Sequence, residues 1–363
     1  RVPTGARLKG DTLKLEVYVR LQNGTNNFRM KIAYILAPSE IIDGASNGIR
    51  SQAFTWANSL IELGEDVTII NASETYNWKD FDIIHLFGSS NTWFLPLAQV
   101  MKERNPNIVW SPICDDITPP QIQLLKTYIG YEKLHLFSLP YIRRKAYPLF
   151  KKIFVRSNYE KEYITKAYHV SPNKIAKVPL AMSYNEKYVP QEKENFCFHM
   201  SLLYHERKNV LRLIKAANKY NFKLVLAGKT GNEQEFLPLK KEIGNNSNIQ
   251  VLGFISEEEK INLYKRAKVF ALPSIMEGVG IVAVDAANYG CEIVVTEIGG
   301  PKEYYNGNAF IVNPYNVDEI GQAVINALSG NKSFQPELST QIHELYNKKH
   351  IAQLLLQEYQ SLL

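Results

Sequence analysis

The sequence predicts an α/β protein of two doubly wound halves, each a parallel sheet with helices on both faces. Three observations carry this expectation. Apolar runs of strand length alternate with helix-length amphipathic segments from Lys31 onward. The alternation pauses at the polar stretch 190–195 and restarts at Phe196. The 363 residues also exceed what one hydrophobic core usually serves.

In the first half, strands are expected over 31–37, 66–70 and 81–87, with a helix over 49–63 after the first. Further strands of the same layer are read at 107–111, 153–156 and 174–179. The second half opens with a strand over 196–201, then a helix over 209–220 and strands over 222–228 and 248–253. Ser256 and Glu259 form a capping-box start for a helix over 257–268. The run 269–273 reads as a buried strand, followed by a helix over 281–289 closed by Gly290 and a strand over 292–297. Two Rossmann-like domains facing each other across a cleft follow, divided as 30–190 and 191–350, with ligands at the carboxyl ends of the strands. Residues 1–29 read as an extension or upstream segment, with an edge strand at 14–21 and a natural start expected near Met30.

Hydrophobic residues make up 45% and charged residues 21%, the balance of a folded chain rather than a disordered one. No apolar run approaches the length of a membrane span. Cys114, Cys197 and Cys291 are widely separated and odd in number, which argues against a disulfide framework or a zinc ribbon and fits a reducing cytoplasm.

The chemistry concentrates in 274–301. Glu277-Gly278-Val279-Gly280 joins a buried strand to an apolar helix beginning at Ile281. Backbone N–H groups and the positive dipole end of that helix suit the oxygens of a diphosphate. Asp285 lies inside the apolar helix, where a carboxylate is costly without a partner such as sugar hydroxyls. In the loop after the first strand of this half, Arg207 and Lys208 precede a helix. Cations there are unfavourable unless an anion is present. Arg207 can fork onto two oxygens while Lys208 supplies a compact charge.

The segment Glu277-x7-Asp285 resembles the Glu-x7-Glu signature of retaining glycosyltransferases of family 4, which have the two-domain GT-B fold, with Asp replacing the second Glu. The resemblance covers roughly 31–363. It implies that Glu277 lies beside the donor sugar and Asp285 at the ribose, and that Arg207 and Lys208 neutralise the diphosphate as catalytic groups. Gly278, Val279, Gly280 and Ile281 belong to the donor site, and Phe254, in Leu252-Gly253-Phe254-Ile255, borders the base. Gly299-Gly300-Pro301-Lys302-Glu303 matches a further family loop lining the nucleotide pocket. In the first half, Gly44 occupies the glycine loop that admits phosphate. That loop lacks G-x-G-x-x-G spacing, which disfavours a nicotinamide cofactor. His85, Asp115 and Asp116 mark the acceptor or sugar region. The last helix, over 351–362, is expected to cross back to the first domain.

The expected function is transfer of a sugar from a nucleoside diphosphate sugar to a hydroxyl of a glycan or lipid-linked glycan, with retention, in cell-surface polysaccharide synthesis. No cofactor or metal is expected, because adjacent Asp115 and Asp116 are not the spaced Asp-x-Asp of metal-dependent transferases. The alternatives are a sugar-nucleotide hydrolase or epimerase, and a noncatalytic sugar-nucleotide binding or scaffold subunit. The run 141–156 contains six cations, no acid and four aromatics. With 134–140 before it, this run is read as a peripheral contact with an anionic membrane at the inner face. No recognition motif supports nucleic acid.

Overall fold

The computed structural model describes residues 29–36, 48–88, 93–131, 136–186 and 189–363. The strand expected at 14–21 and the loop containing Gly44 lie outside them. The first half runs β1 (Lys31–Leu36), α1 (Gly48–Glu62), β2 (Asp66–Ile69), β3 (Ile83–Phe87), α2 (Phe94–Arg104), β4 (Ile108–Ser111) and α3 (Pro120–Lys126). A short antiparallel pair of β5 (Gly130–Tyr131) and β6 (Leu136–Phe137) follows, then α4 (Leu139–Ala146), β7 (Lys152–Val155), α5 (Asn158–Tyr168) and β8 (Ile175–Lys177). The second half runs β9 (Glu194–Met200), α6 (Val210–Tyr220), β10 (Leu224–Ala227), α7 (Glu233–Ile243), β11 (Ile249–Gly253), α8 (Glu257–Arg266) and β12 (Ala267–Leu272). It closes with α9 (Ile281–Asn288), β13 (Glu292–Thr296), β14 (Phe310–Val312), α10 (Val317–Ser329), α11 (Glu337–Tyr346) and α12 (Lys348–Gln360).

Among the described residues the strands of each half form a six-stranded sheet whose pairs are parallel, ordered β2-β1-β3-β4-β7-β8 and β11-β10-β9-β12-β13-β14. The first order is flavodoxin-like. The second is the dinucleotide-fold order, which reverses between β9 and β12. That reversal opens a crevice at the strand ends, because the chain leaves β9 and β12 toward opposite sides. The two loops that flank it are the ones carrying Arg207 and Lys208 and carrying Glu277.

Local chemistry explains the elements. β3 is buried along its whole length and β12 along nearly all of it, as strands sandwiched between helices require. α6 buries Val210, Leu213, Ile214 and Ala217 on one stripe. Asn316 caps α10 by accepting from the N–H groups of Asp318 and Glu319, and Gly330 ends it at φ +74°. Ser256 caps α8 by accepting from Glu259 N–H. β14 was missed in sequence because three residues, of which Val312 alone is buried, make too short a pattern.

α12 begins at Lys348 rather than 351, since Asn347 accepts from His350 N–H and fixes the first turn there. It packs against α1, burying Ile351, Leu355 and Tyr359. The Tyr359 hydroxyl meets that of Tyr34 at 3.0 Å, and Glu358 pairs with Lys152 at 3.3 Å. The last helix of the chain therefore completes the packing of the first domain.

Candidate donor site at the domain cleft

The loop after β12 is held from both sides. Gly280 adopts φ +72° as the residue preceding α9, and a Cβ there would lie 2.8 Å from Leu272 Cδ2. Gly299, at φ +97°, brings the loop after β13 against Glu277, with space for a Cβ filled by the Glu277 carbonyl 2.0 Å away. Gly300 N–H also donates to that carbonyl at 3.2 Å. The Glu277 backbone is thus clamped between two loops, and its side chain is aimed rather than free.

The carboxylate of Glu277 receives Lys208 Nζ at 2.5 Å and Ser274 Oγ at 3.2 Å, with Arg207 Nη1 3.9 Å away. Arg207 also donates to the Met276 carbonyl at 3.2 Å, and its own carbonyl accepts from Ile275 N–H. Asn209 ties the next position to the carbonyls of Pro273 and Pro314. Residues 69 apart in sequence therefore form one compact cluster of an acid and two cations at the crevice. Beneath it, His199 joins the two central strands through Nδ1 and the Ala271 carbonyl at 2.7 Å. Burial lowers this imidazole to about 4, so it stays neutral. Gly278 and Gly280 lie in this loop, Ile281 opens α9, and the Val279 side chain is packed into the core. Phe254, directly after the edge strand β11, is 78% exposed.

The first domain reaches the cluster through Asp115. A Cβ on Gly278 would sit 2.1 Å from Asp115 Oδ1, so the loops after β4 and β12 touch. Arg156 donates to Asp115 at 2.6 Å and to Glu160 at 3.0 Å. Burial pushes the Asp115 carboxyl up, yet Arg156, with Arg207 and Lys208 beyond it, brings it below the ordinary value. Glu160 further accepts from the backbone N–H groups of Cys114 and Arg156. Arg156 and Glu160 escaped the sequence reading. The available signal was Ser157-x-x-Glu160, a helix start directly after a strand. Gly278→Ala is expected to force these loops apart and weaken nucleoside diphosphate binding at least about tenfold, because the Asp115 carboxylate and the Arg156 guanidinium that holds it leave no room for the methyl. Calorimetric titration of both proteins checks this.

Other residues singled out in the sequence make contacts that the sequence does not announce. His85 is 0% exposed: Nε2 meets Ser111 Oγ at 2.8 Å, Nδ1 meets the Tyr359 hydroxyl at 2.5 Å, and the ring stacks on Phe87. It is a core residue under α12, and burial drives its pKa well below the ordinary value. Asp116 is bound by Arg143 at 2.8 Å and by Cys114 Sγ, which ties it to α4 instead of the cleft. Glu303 accepts from the N–H groups of Asn158 and Tyr159 at 2.8 Å each, so this side chain caps α5 across the domain interface rather than lining a nucleotide pocket. The basic run 141–156 is not one solvated face: Arg143 and Arg156 hold internal acids, Lys152 holds Glu358, and Lys151 donates to Asn107 and to the Leu362 carbonyl. Leu134 and His135 lie outside the described residues, as does Gly44.

Asp285 is held in the interior. It is 2% exposed and accepts from Ser183 N–H at 2.7 Å, at the segment leading into the second domain. Asp is one methylene shorter than Glu, and its carboxylate is engaged at the connection. Burial raises it to about 6, against its hydrogen bonds with Ser183. A folded-state pKa above the ordinary 3.8 gives stability that is full below about pH 4 and is lost as pH rises through about 6. Asp285→Asn keeps an acceptor for Ser183 and cannot titrate. Its unfolding free energy relative to wild type is expected to rise by about 2–3 kcal/mol between pH 4 and pH 8. Denaturant titrations at both pH values check the sign.

Residues 183–354 match the family model described as "Glycosyl transferases group 1". The match spans somewhat under half of the chain and falls mainly in the second domain. An uncharacterized glycosyltransferase of Methanocaldococcus jannaschii is 35% identical over 130 residues, covering 34% of this chain and 33% of that protein. O-antigen chain mannosyltransferase B of Escherichia coli is 24% identical over 198 residues, covering 49% and 51%. The matches therefore span one third to about one half of those relatives. Among solved structures, Anabaena HepE in complex with UDP and glucose superposes with a TM-score of 0.69 at 14% identity, over 92% of this chain and 100% of that one. A glycosyltransferase from Rickettsia africae gives 0.69 at 17% identity, over 92% and 99%. These likenesses show that the fold is GT-B.

Proposed function

We propose that the protein is a retaining, metal-independent glycosyltransferase that moves a hexose from a nucleoside diphosphate sugar to a hydroxyl of a glycan or lipid-linked glycan in polysaccharide synthesis. The observation that carries the reading is the meeting of Glu277, Lys208 and Arg207 at the topological switch point of the second sheet. The group 1 match and the mannosyltransferases of O-antigen synthesis among the relatives support it, as does the presence of UDP in the HepE structure.

A diphosphate entering the crevice would draw Arg207 and Lys208 onto its oxygens, where negative charge grows as the glycosidic bond breaks. Those two cations fill the role that a metal ion plays in other transferases. Their departure would release Glu277 toward the sugar, where a fixed carboxylate steadies positive charge at the anomeric carbon. The acceptor hydroxyl would attack from the face that the diphosphate leaves, and the departing phosphate would take its proton. The contact of Asp115 with Gly278 closes the sugar side of the cleft and limits water.

Incubation with UDP, GDP, ADP and TDP sugars, with and without a lipid-linked glycan fraction, tests the reading. Acceptor-dependent release of one nucleoside diphosphate, with the donor's anomeric configuration kept in the product by NMR, is expected. Release of free sugar without acceptor would favour a hydrolase, and binding without release a scaffold subunit.

A further inference from the structure

The geometry points to α3, strands β5 and β6, and α4 as a docking surface for an anionic lipid bilayer. Large apolar side chains are strongly exposed together here: Leu125 is 70% exposed, Ile129 63% and Leu136 62%, with Ile122, Tyr128 and Tyr131 about half exposed or more. Ile122, Leu125 and Ile129 follow helical spacing through α3 and its last turn. Tyr131 is the cross-strand partner of Leu136 and points to the same side of the strand pair. Ser138 N–H donates to the Ile129 carbonyl, and Gly130 lies against the Tyr141 ring, which fixes the strand pair to α3 and α4. An exposed apolar cluster of this density marks an interaction site.

Charge selects the occupant. From 117 to 146 the sequence holds five cations, Lys126, Lys133, Arg143, Arg144 and Lys145, against one acid, Glu132, and with Arg143 engaged by Asp116 the stretch still carries a positive excess. Arg144 is stacked 4.4 Å over the Tyr128 ring and donates to the Thr127 carbonyl, which places its guanidinium at the border of the apolar face. A two-fold copy of this chain would set like charges against each other. A bilayer with acidic headgroups accepts both parts, with apolar chains entering the interface, tyrosines at its level and cations at the phosphates. Among the described residues no helix is long and apolar enough to cross a membrane. The docking surface deepens the acceptor half of the proposed function, and rests on it only for what the bilayer would present, a lipid-linked hydroxyl. The basic run noted in sequence contributes through α4 alone.

Co-sedimentation of the full chain with vesicles of phosphatidylcholine, or of phosphatidylcholine and phosphatidylglycerol in equal parts, tests the inference. Binding to the anionic vesicles only is expected. Leu125→Ser with Ile129→Ser should weaken it about a hundredfold, about tenfold per side chain removed from the interface. Lys126→Gln with Arg144→Gln should weaken it by more than about tenfold. Thermal stabilisation by a nucleoside diphosphate should persist in both variants, which separates loss of the surface from loss of the donor site or the fold. Failure of the wild-type chain to sediment, equal binding by all three proteins, or a wild-type dimer that Leu125→Ser with Ile129→Ser converts to monomer would overturn it.

Discussion

Glu277→Gln is expected to lower sugar transfer by about 10²–10³-fold, the loss found when one preorganised electrostatic group is removed from a reacting centre. Gln retains the length and can still accept from Ser274 Oγ, so the clamp of Gly299 and Gly300 on the backbone is untouched. What disappears is the charge that faces Lys208 and Arg207 and, in the proposed reaction, the anomeric carbon. Initial rates at saturating donor isolate that term from binding. A rate within about threefold of wild type would remove Glu277 from the reaction.

Arg156→Met is expected to produce the largest loss of stability, about 3–5 kcal/mol, because it leaves Glu160 as an uncompensated buried carboxylate. The melting temperature should fall on the order of 10 °C. Asp115 loses its direct partner in the same variant, so the loop facing Gly278 loosens and the transfer rate falls with it. Adding Glu160→Leu should recover part of the stability, since the buried charge is then gone. Calorimetric melting of the single and double variants checks both statements. Equal melting of Arg156→Met and wild type would show that the network does not hold the loop.

The two parallel sheets were legible because strands buried on both faces are written as short apolar runs, and the restart at Phe196 marks the second sheet. The acid and the cations of the crevice were legible for a related reason. Glu277, Arg207 and Lys208 occupy loops directly after predicted strands, where a charge has no structural explanation of its own. The partners of Asp285 and His85 were not legible, because sequence shows a polar group in an apolar element but not what it meets. One is bound by the Ser183 backbone and the other by Tyr359, which lies 274 residues away. The contact of Glu303 was hidden for the same reason: its partner is the start of a helix in the other domain. Contacts across domains leave no local periodicity. The apolar face of α3 went unread because its members are spread over a short helix and a strand pair, with no single long amphipathic segment to announce it.

The central claim is that a nucleoside diphosphate binds in the crevice between the loops after β9 and β12. Calorimetric titration of the full chain with UDP, GDP, ADP and TDP, repeated on Arg207→Ala, tests it most directly. Saturable binding selective for one base, weakened by about a hundredfold in the variant through loss of a charge-assisted contact of roughly 1.5–3 kcal/mol, is the predicted result. Equal affinity of Arg207→Ala and wild type, or no binding of any of the four, would contradict it.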